Sequence, residues 1–351
     1  MINKLYEKLK ETDLDTLLIT DGVAIDYLTG IEIDPGERMY VLVIKDNSAK
    51  LFLSKLFNVD GNKYVEPIYF LDTDDYVGML KNEIKDSKKI GVDKFMDARF
   101  LLPIMDGKKE FVVASNLIDD IRAIKDAEEV KLMAEASRLN DLAMGRMEEL
   151  LKEDYTEMEM RELLLKTYKD LGSEGFSFEP IVGYGKASWD PHHVTDDSRK
   201  KAGDSIVVDI GCIKDGYCSD MTRTFFYKEA SEEAKKIYET VKLANETAIK
   251  KVAPGVKLKD VDRAARKIIE DAGYGEYFTH RTGHFIGREV HEAGDVSQNN
   301  ENICRVGNIF SIEPGIYVPG VCGVRIEDLV VVTEDGCQVL NKYPKDFKII
   351  K

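Results

Sequence analysis

The sequence predicts an α+β protein of two domains: a smaller α/β domain at the N-terminus and a larger one in which helices pack on mostly antiparallel strands. Three observations carry this. The chain has 351 residues, more than one hydrophobic core usually holds. Its pattern changes near residues 118 to 126, where short strand-like runs give way to a long helical periodicity. Beyond that point strands follow one another in runs separated by helices, instead of alternating strictly with them.

Taken in order, Leu17-Leu18-Ile19, residues 40–44 and Leu51-Phe52-Leu53 read as strands between turn-rich stretches such as residues 32–37. Residues 75–85 read as a helix, followed by strands at 89–93 and 111–113, which completes an N-terminal domain over 1–120. Asp126 with Glu129 three residues on forms a helix-start signature, and Val130, Met133, Leu139, Ala143, Met147 and Leu150 then recur at helical spacing, opening a second domain over 125–351. Two further helices are expected at 231–252 and 258–272, stopped by Pro254-Gly255 and Gly273. Strands are expected at 205–212, 217–226, 309–312, 324–332 and 337–340.

Composition narrows the function classes. With 43% hydrophobic and 33% charged residues the chain falls within the globular range. Its net charge of −15, spread without a basic or acidic tail, disfavours nucleic acid and anionic membrane surfaces as partners. The first ten residues are charged throughout, and no apolar run reaches the ~18 residues of a membrane span, so a cytoplasmic protein is expected. The five cysteines (Cys212, Cys218, Cys304, Cys322, Cys337) include no Cys-x-x-Cys pair and read as buried free thiols.

The chain has five histidines, His192, His193, His280, His284 and His291, and none precedes residue 192. Such clustering points to one site. Four carboxylates share the region, and each interrupts an apolar strand: Asp209, Asp220, Glu313 and Glu327. Asp215-Gly216 between the strands at 205–212 and 217–226 signals a two-residue hairpin turn. That turn sets 209 opposite 222, so that Asp209 and Asp220 lie on one face as diagonal neighbours about 7 to 8 Å apart at the backbone. A three-residue loop would instead send them to opposite faces, and a shared metal requires the first register. Four carboxylates and the His284 imidazole carry a charge that two divalent cations would balance. This donor set suits Mn²⁺ or Co²⁺, with Zn²⁺ or Fe²⁺ as further possibilities.

The segments Val208-Asp209-Ile210-Gly211, Ser219-Asp220-Met221-Thr222-Arg223-Thr224, His280-Arg281-Thr282-Gly283-His284, Val290-His291-Glu292, Ile312-Glu313-Pro314-Gly315 and Val324-Arg325-Ile326-Glu327-Asp328, in this order, resemble the pita-bread metallopeptidases. That family contains prolidase, Xaa-Pro aminopeptidase, methionine aminopeptidase and creatinase. Residues 15–30, ending in Asp26-Tyr27-Leu28-Thr29-Gly30, resemble the N-terminal domain of prolidases and Xaa-Pro aminopeptidases, more weakly than the six segments do. Methionine aminopeptidases lack that domain and creatinase lacks the full ligand set, so both are disfavoured.

The resemblance implies a pita-bread catalytic domain with Asp209, Asp220, His284, Glu313 and Glu327 as metal ligands, Asp220 and Glu327 bridging two metals. It implies hydrolysis by a hydroxide held between the metals, with Glu313 as proton shuttle. His192, His280 and His291 match positions that contact substrate or the tetrahedral intermediate, whereas His193 reads as a structural neighbour. Where many relatives carry Gly and an apolar residue, this chain has Phe285 and Arg288. Phe285 is expected to narrow the pocket, and Arg288 or Arg325 to pair with a substrate's terminal carboxylate, which favours dipeptides. Trp189 reads either as a lid over a proline ring or as core. The expectation is a cytoplasmic, homodimeric Xaa-Pro dipeptidase acting on small peptides. The alternatives are an Xaa-Pro aminopeptidase acting on longer peptides and a non-catalytic binding module of the same fold.

Overall fold

The structure, a computed structural model, describes residues Met1–Lys351. It divides into two compact units, Met1–Arg122 and Ala123–Lys351. In the first unit six strands form one sheet: β1 (Thr16–Ile19), β2 (Val41–Lys45), β3 (Ser48–Ser54), β4 (Glu66–Phe70), β5 (Lys89–Val92) and β6 (Glu110–Val113). They lie in the order β4-β3-β2-β1-β5-β6. Five helices accompany them: α1 (Ile2–Lys10), α2 (Gly22–Thr29), α3 (Tyr76–Glu83), α4 (Ala98–Ile104) and α5 (Asn116–Arg122). Period-two alternation sends Leu17 and Ile19 to one apolar cluster, with α1, α2 and α5, and Leu18 to another, with α3 and α4. The sheet is therefore buried on both faces.

The second unit opens with α6 (Ala127–Leu150), whose N-cap is the expected one. Asp126 accepts from the backbone N–H groups of Glu128 and Glu129, and the Glu129 carboxylate returns to the N–H of Asp126. It is followed by α7 (Glu157–Asp170), a helix absent from the expected set although Thr156 and Glu159 form the same reciprocal cap. Then come β7 (Gly175–Phe176), β8 (Ile181–Tyr184), β9 (Ser205–Ile210), β10 (Cys212–Lys214), β11 (Tyr217–Cys218) and β12 (Met221–Tyr227). The expected helices follow as α8 (Glu232–Lys251) and α9 (Leu258–Asp271). The last strands are β13 (Gly283–Phe285), β14 (Glu292–Val296), β15 (Ile309–Ile312), β16 (Gly315–Val318), β17 (Cys322–Arg325), β18 (Asp328–Thr333), β19 (Gly336–Val339) and β20 (Ile349–Ile350).

Two sheets, β20-β12-β9-β8 and β14-β13-β15-β18-β19, hold the site residues. Helices α6 and α7 cover the first through Ile206, Val208 and Ile210 of β9 and Met221 and Phe225 of β12. Helices α8 and α9 cover the second through Phe285, Phe310, Ile312, Val330 and Val332. Alternation then turns Asp209 on β9, and Glu313 and Glu327 beside β15 and β18, to the faces the helices leave uncovered. Three expected strands are each broken in two, and the run expected at 205–212 breaks at Gly211, beyond which β10 joins another sheet. The run expected at 217–226 breaks at Ser219-Asp220, where Ser219 bonds back to Cys212. The run expected at 324–332 breaks at Ile326-Glu327, where the Glu327 N–H donates to Thr222. The breaks at Asp220 and Glu327 each fall at a site carboxylate.

Candidate metal centre and substrate cavity

The hairpin register decides whether the aspartates meet. Asp215 and Gly216 both adopt positive φ (50° and 73°), and Lys214 pairs with Tyr217. The same register continues into β9 and β12, where Asp209 stands opposite Thr222. The two-residue turn is thus the one formed, and Asp209 and Asp220 face one cavity. His284 arrives on β13, whose Gly283 packs so closely against β15 that a Cβ there would overlap the carbonyl oxygen of Ser311. This segment is extended, as expected, rather than helical.

The cavity has a volume of about 560 Å³, and Asp209, Asp220, His284, Glu313 and Glu327 all line it. The His284 Nε2 lies 3.5 Å from Asp220 Oδ2, 3.6 Å from Glu313 Oε1 and 4.0 Å from Glu327 Oε1. Its Nδ1 faces the Phe285 carbonyl at 3.3 Å and donates to it, so the neutral ring turns an Nε2 lone pair toward these carboxylates. Burial holds this imidazole below its ordinary pKa, against the pull of Glu313. Buried oxygens Asp209 Oδ1, Asp220 Oδ1 and Glu327 Oε1 have no hydrogen-bond partner. Burial, followed by the charge of neighbouring carboxylates, pushes Asp220 and Glu327 well above the carboxylate range. Glu313 is pushed up to about 7 by burial, opposed by His284 and Arg325. Lone pairs facing lone pairs, with orphaned carboxylate oxygens in a dry pocket, are costly unless a cation joins them. The donors present therefore fit divalent metal ions.

Three further oxygens of these carboxylates are held by the protein. Thr222 Oγ1 donates to Glu327 Oε2 at 2.8 Å, Ser311 Oγ to Glu313 Oε1 at 3.2 Å, and Arg325 Nη2 to Asp209 Oδ2 at 2.7 Å. Below them Asn245 of α8 donates to the carbonyls of Ile312 and Ile326, the residues just before Glu313 and Glu327. Arg223, fully buried, pairs with Asp328 at 2.8 Å and donates to the carbonyls of Thr222 and Glu327. Neither residue stands out in the sequence as part of a site; the signal was a polar side chain inside an apolar helix or strand.

His192, His280 and His291 all line the cavity. The His280 ring is already committed. Its Nδ1 donates to the Arg281 carbonyl at 2.7 Å, leaving Nε2 to accept from the Tyr317 hydroxyl at 2.9 Å, which accepts in turn from Arg325 Nη1 at 2.9 Å. Burial lowers its pKa to about 4, with Arg325 adding to the effect, so the ring stays neutral. His291 packs edge-on against His284 with centroids 4.2 Å apart. His193 takes a structural place: its Nε2 lies 2.6 Å from Glu157 Oε2. Glu157, buried at the start of α7, also accepts from the N–H groups of Tyr184 and Asp196 and so anchors the loop that carries His192.

Three expectations are corrected. Arg288 does not line the cavity; its guanidinium lies over the Tyr217 ring, 5.8 Å from the centroid, beside the hairpin turn. Arg325 lines it but is 3% exposed, with Nε on Thr222, Nη1 on Tyr317 and Nη2 on Asp209, so it holds Asp209 rather than an incoming carboxylate. Phe285 does not narrow the pocket, because β-strand alternation turns it into the core against Phe310. Trp189 lines a neighbouring groove with His193 and is no wall of this cavity. The cation that sequence reading overlooked is Arg281, which does line it.

The model of metallopeptidase family M24 matches residues 131–334, and that of the creatinase/prolidase N-terminal domain matches residues 1–124. The chain belongs to metallopeptidase family M24. This M24 peptidase is similar to an uncharacterized peptidase of Staphylococcus aureus, 36% identical over 98% of this chain and 99% of the relative. Among solved structures it resembles a dipeptidase of Pyrococcus horikoshii, with TM-score 0.91 and 38% identity over 99% of each chain. It also resembles a prolidase of the same organism, with TM-score 0.89 and 32% identity over 99% of each chain. The fold is the pita-bread metallopeptidase fold behind a creatinase-type N-terminal domain, and the M24 family implies divalent metal ions and a peptide substrate. No helix is long and apolar enough to cross a membrane.

Proposed function

We propose that this chain is an Xaa-Pro dipeptidase whose metal ligands are Asp209, Asp220, His284, Glu313 and Glu327. The observation that carries the metal assignment is the set of orphaned, buried oxygens of Asp209, Asp220 and Glu327 in the cavity toward which His284 turns its free Nε2. The likeness to a prolidase and a dipeptidase supports the substrate class. Two divalent ions, Mn²⁺ or Co²⁺ in preference, would supply an activated water and polarise the scissile carbonyl.

The protein's own groups then do the positioning and the proton handling. Glu313 is the least buried of the four acids, its side chain 17% exposed, so it can reach a proton on the substrate side. It takes the proton of the attacking water on its carboxylate and delivers one to the leaving nitrogen. Ser311 fixes the orientation of that carboxylate. His192 and His291 face the cavity and act as donors to the developing oxyanion, whereas neutral His280 serves as the link between Tyr317 and the Arg281 carbonyl. Arg325 holds the Asp209 carboxylate in place through Nη2. The protein works as a cytoplasmic homodimer.

The test is hydrolysis of Leu-Pro and of Leu-Pro-Gly by the metal-stripped protein, then after addition of Mn²⁺. Metal-dependent cleavage confined to the dipeptide is the expected result. Preference for the tripeptide would make the protein an Xaa-Pro aminopeptidase, and no cleavage with any metal would make it a binding module.

A further inference from the structure

Outside the cavity, helix α9 carries an ion pair that the chemistry above does not use. Asp262 and Arg266 stand four residues apart on one face of α9, and neither lines the cavity. Arg266 Nε donates to Asp262 Oδ2 and Nη2 to Asp262 Oδ1, each at 3.0 Å, with both side chains almost wholly buried. A pair that only satisfied itself would stop there. Arg266 also donates through Nη1 to the Phe278 carbonyl at 3.1 Å and through Nη2 to the His280 carbonyl at 3.0 Å. Its guanidinium lies over the Phe278 ring, 4.1 Å from the centroid, and that ring meets the His280 ring edge-on with centroids 5.1 Å apart. Asp262 Oδ1 in turn accepts from the Thr282 hydroxyl at 2.7 Å.

These bonds fall on a segment that has no ladder of its own. Residues 278–282 lie in no helix or strand, yet they carry His280 and Arg281 to the cavity. His284 is supported differently, by the pairing of β13 with β14 and by Ser311 Oγ, which accepts from its N–H at 3.0 Å. The His280 carbonyl rests on Arg266. A planar fork can hold a carboxylate and two carbonyls at once, whereas the single nitrogen of a lysine cannot span them. The charge acts on the ring as well: burial first, then Arg325 and Arg266, hold His280 neutral, so that Nε2 stays an acceptor for Tyr317.

We propose that Arg266, fixed by Asp262, is a positioning residue that sets the place of His280 in the cavity and through it the rate of hydrolysis. The inference rests on the dipeptidase reading above and adds to it a residue outside the cavity. Arg266→Met would leave Asp262 buried and unpaired, which threatens the fold. The variants are therefore Arg266→Lys, which keeps a charge beside Asp262, and Asp262→Asn, which keeps the volume and loosens the guanidinium.

The Mn²⁺-loaded native protein, each variant, His280→Ala and the two double variants are assayed on Leu-Pro, with circular dichroism and Mn²⁺ titration calorimetry alongside. Both variants are expected to keep the native circular dichroism and to lose roughly 10- to 100-fold in kcat, the cost of a misplaced group, while KM and Mn²⁺ affinity change less than about threefold. In the His280→Ala background the same substitutions should cost less than about twofold, because the group they position is gone. If one variant unfolds, the cycle on the other decides. Undiminished kcat in a folded variant, losses that multiply in the double variants, or Mn²⁺ affinity that falls in step with kcat overturns the inference alone. No cleavage of Leu-Pro by the native protein overturns the dipeptidase reading and this inference with it.

Discussion

At the scale of single residues, His284 shows how one hydrogen bond sets the chemistry of a site. Donation from Nδ1 to the Phe285 carbonyl leaves Nε2 as a lone pair among carboxylates, and the arrangement is stable only with cations or protons between them. Glu313 gives this a pH dependence. Burial raises its carboxyl from an ordinary 4.5 to about 7 in the metal-free protein. A raised carboxyl pKa favours the folded state below 4.5 and loses that contribution as the pH climbs through about 7. Asp220 and Glu327, also raised by burial and by neighbouring carboxylates, act in the same direction. Metal-stripped protein should therefore melt at lower temperature at about pH 8 than at about pH 5, and Mn²⁺ should raise Tm more at the higher pH, because metal must displace protons. Melting curves with chelator and with Mn²⁺ check this; a metal-induced shift independent of pH would count against the centre. Glu313→Gln is expected to lower kcat by roughly 10²- to 10⁴-fold while keeping the native circular dichroism. Undiminished turnover would remove Glu313 from the mechanism.

At the scale of elements, the site depends on side chains of helices and strands that hold backbone carbonyls next to its acids. Asn245 on α8 ties the backbone just ahead of Glu313 and Glu327, the two acids from the second sheet. Asn245→Leu would remove the side-chain donor to those carbonyls, costing about 1 to 3 kcal/mol, and should weaken Mn²⁺ binding along with stability. Titration calorimetry reads the affinity, and unchanged affinity would show that β15 and the Glu327 loop are held without it. Arg223 pairs with Asp328 where both side chains are almost wholly buried. Arg223→Leu leaves Asp328 with Lys345 alone and should cost about 3 to 5 kcal/mol in denaturant unfolding. A cost under about 1 kcal/mol would mean the buried pair is not what locks β12 to the Glu327 segment. The hairpin that brings Asp209 beside Asp220 was legible in the sequence, since Asp215-Gly216 admits the positive φ values of a two-residue turn. The breaks at Asp220 and Glu327 were not, because the Asp220 carbonyl accepts from Asn341 and the Glu327 N–H donates to the Thr222 carbonyl, partners distant in sequence.

Over the whole molecule, the second unit is two helix-backed sheets that turn their free faces toward one acidic cavity. A cavity that collects four carboxylates works only with counter-cations, so chelation should abolish peptidase activity and Mn²⁺ or Co²⁺ should restore it. Assays after dialysis against chelator, with each metal added back, check this; full activity in the metal-free protein would refute the centre. By itself the sequence determined the α+β class, the helices at Asp126, Ser231 and Leu258, the register of the hairpin and five residues that line one cavity. These follow from local rules: capping, turn dihedrals, side-chain alternation and acids placed in apolar strands. Which of Arg281 and Arg288 lines the cavity, what His280 is bonded to and why His193 sits against Glu157 were decided by the tertiary structure alone. Arg281 and Arg288 are only seven residues apart and chemically alike. One stands beside a fixed carbonyl at the cavity and the other over Tyr217, and that difference arises from contacts across the fold, which no spacing along the chain records.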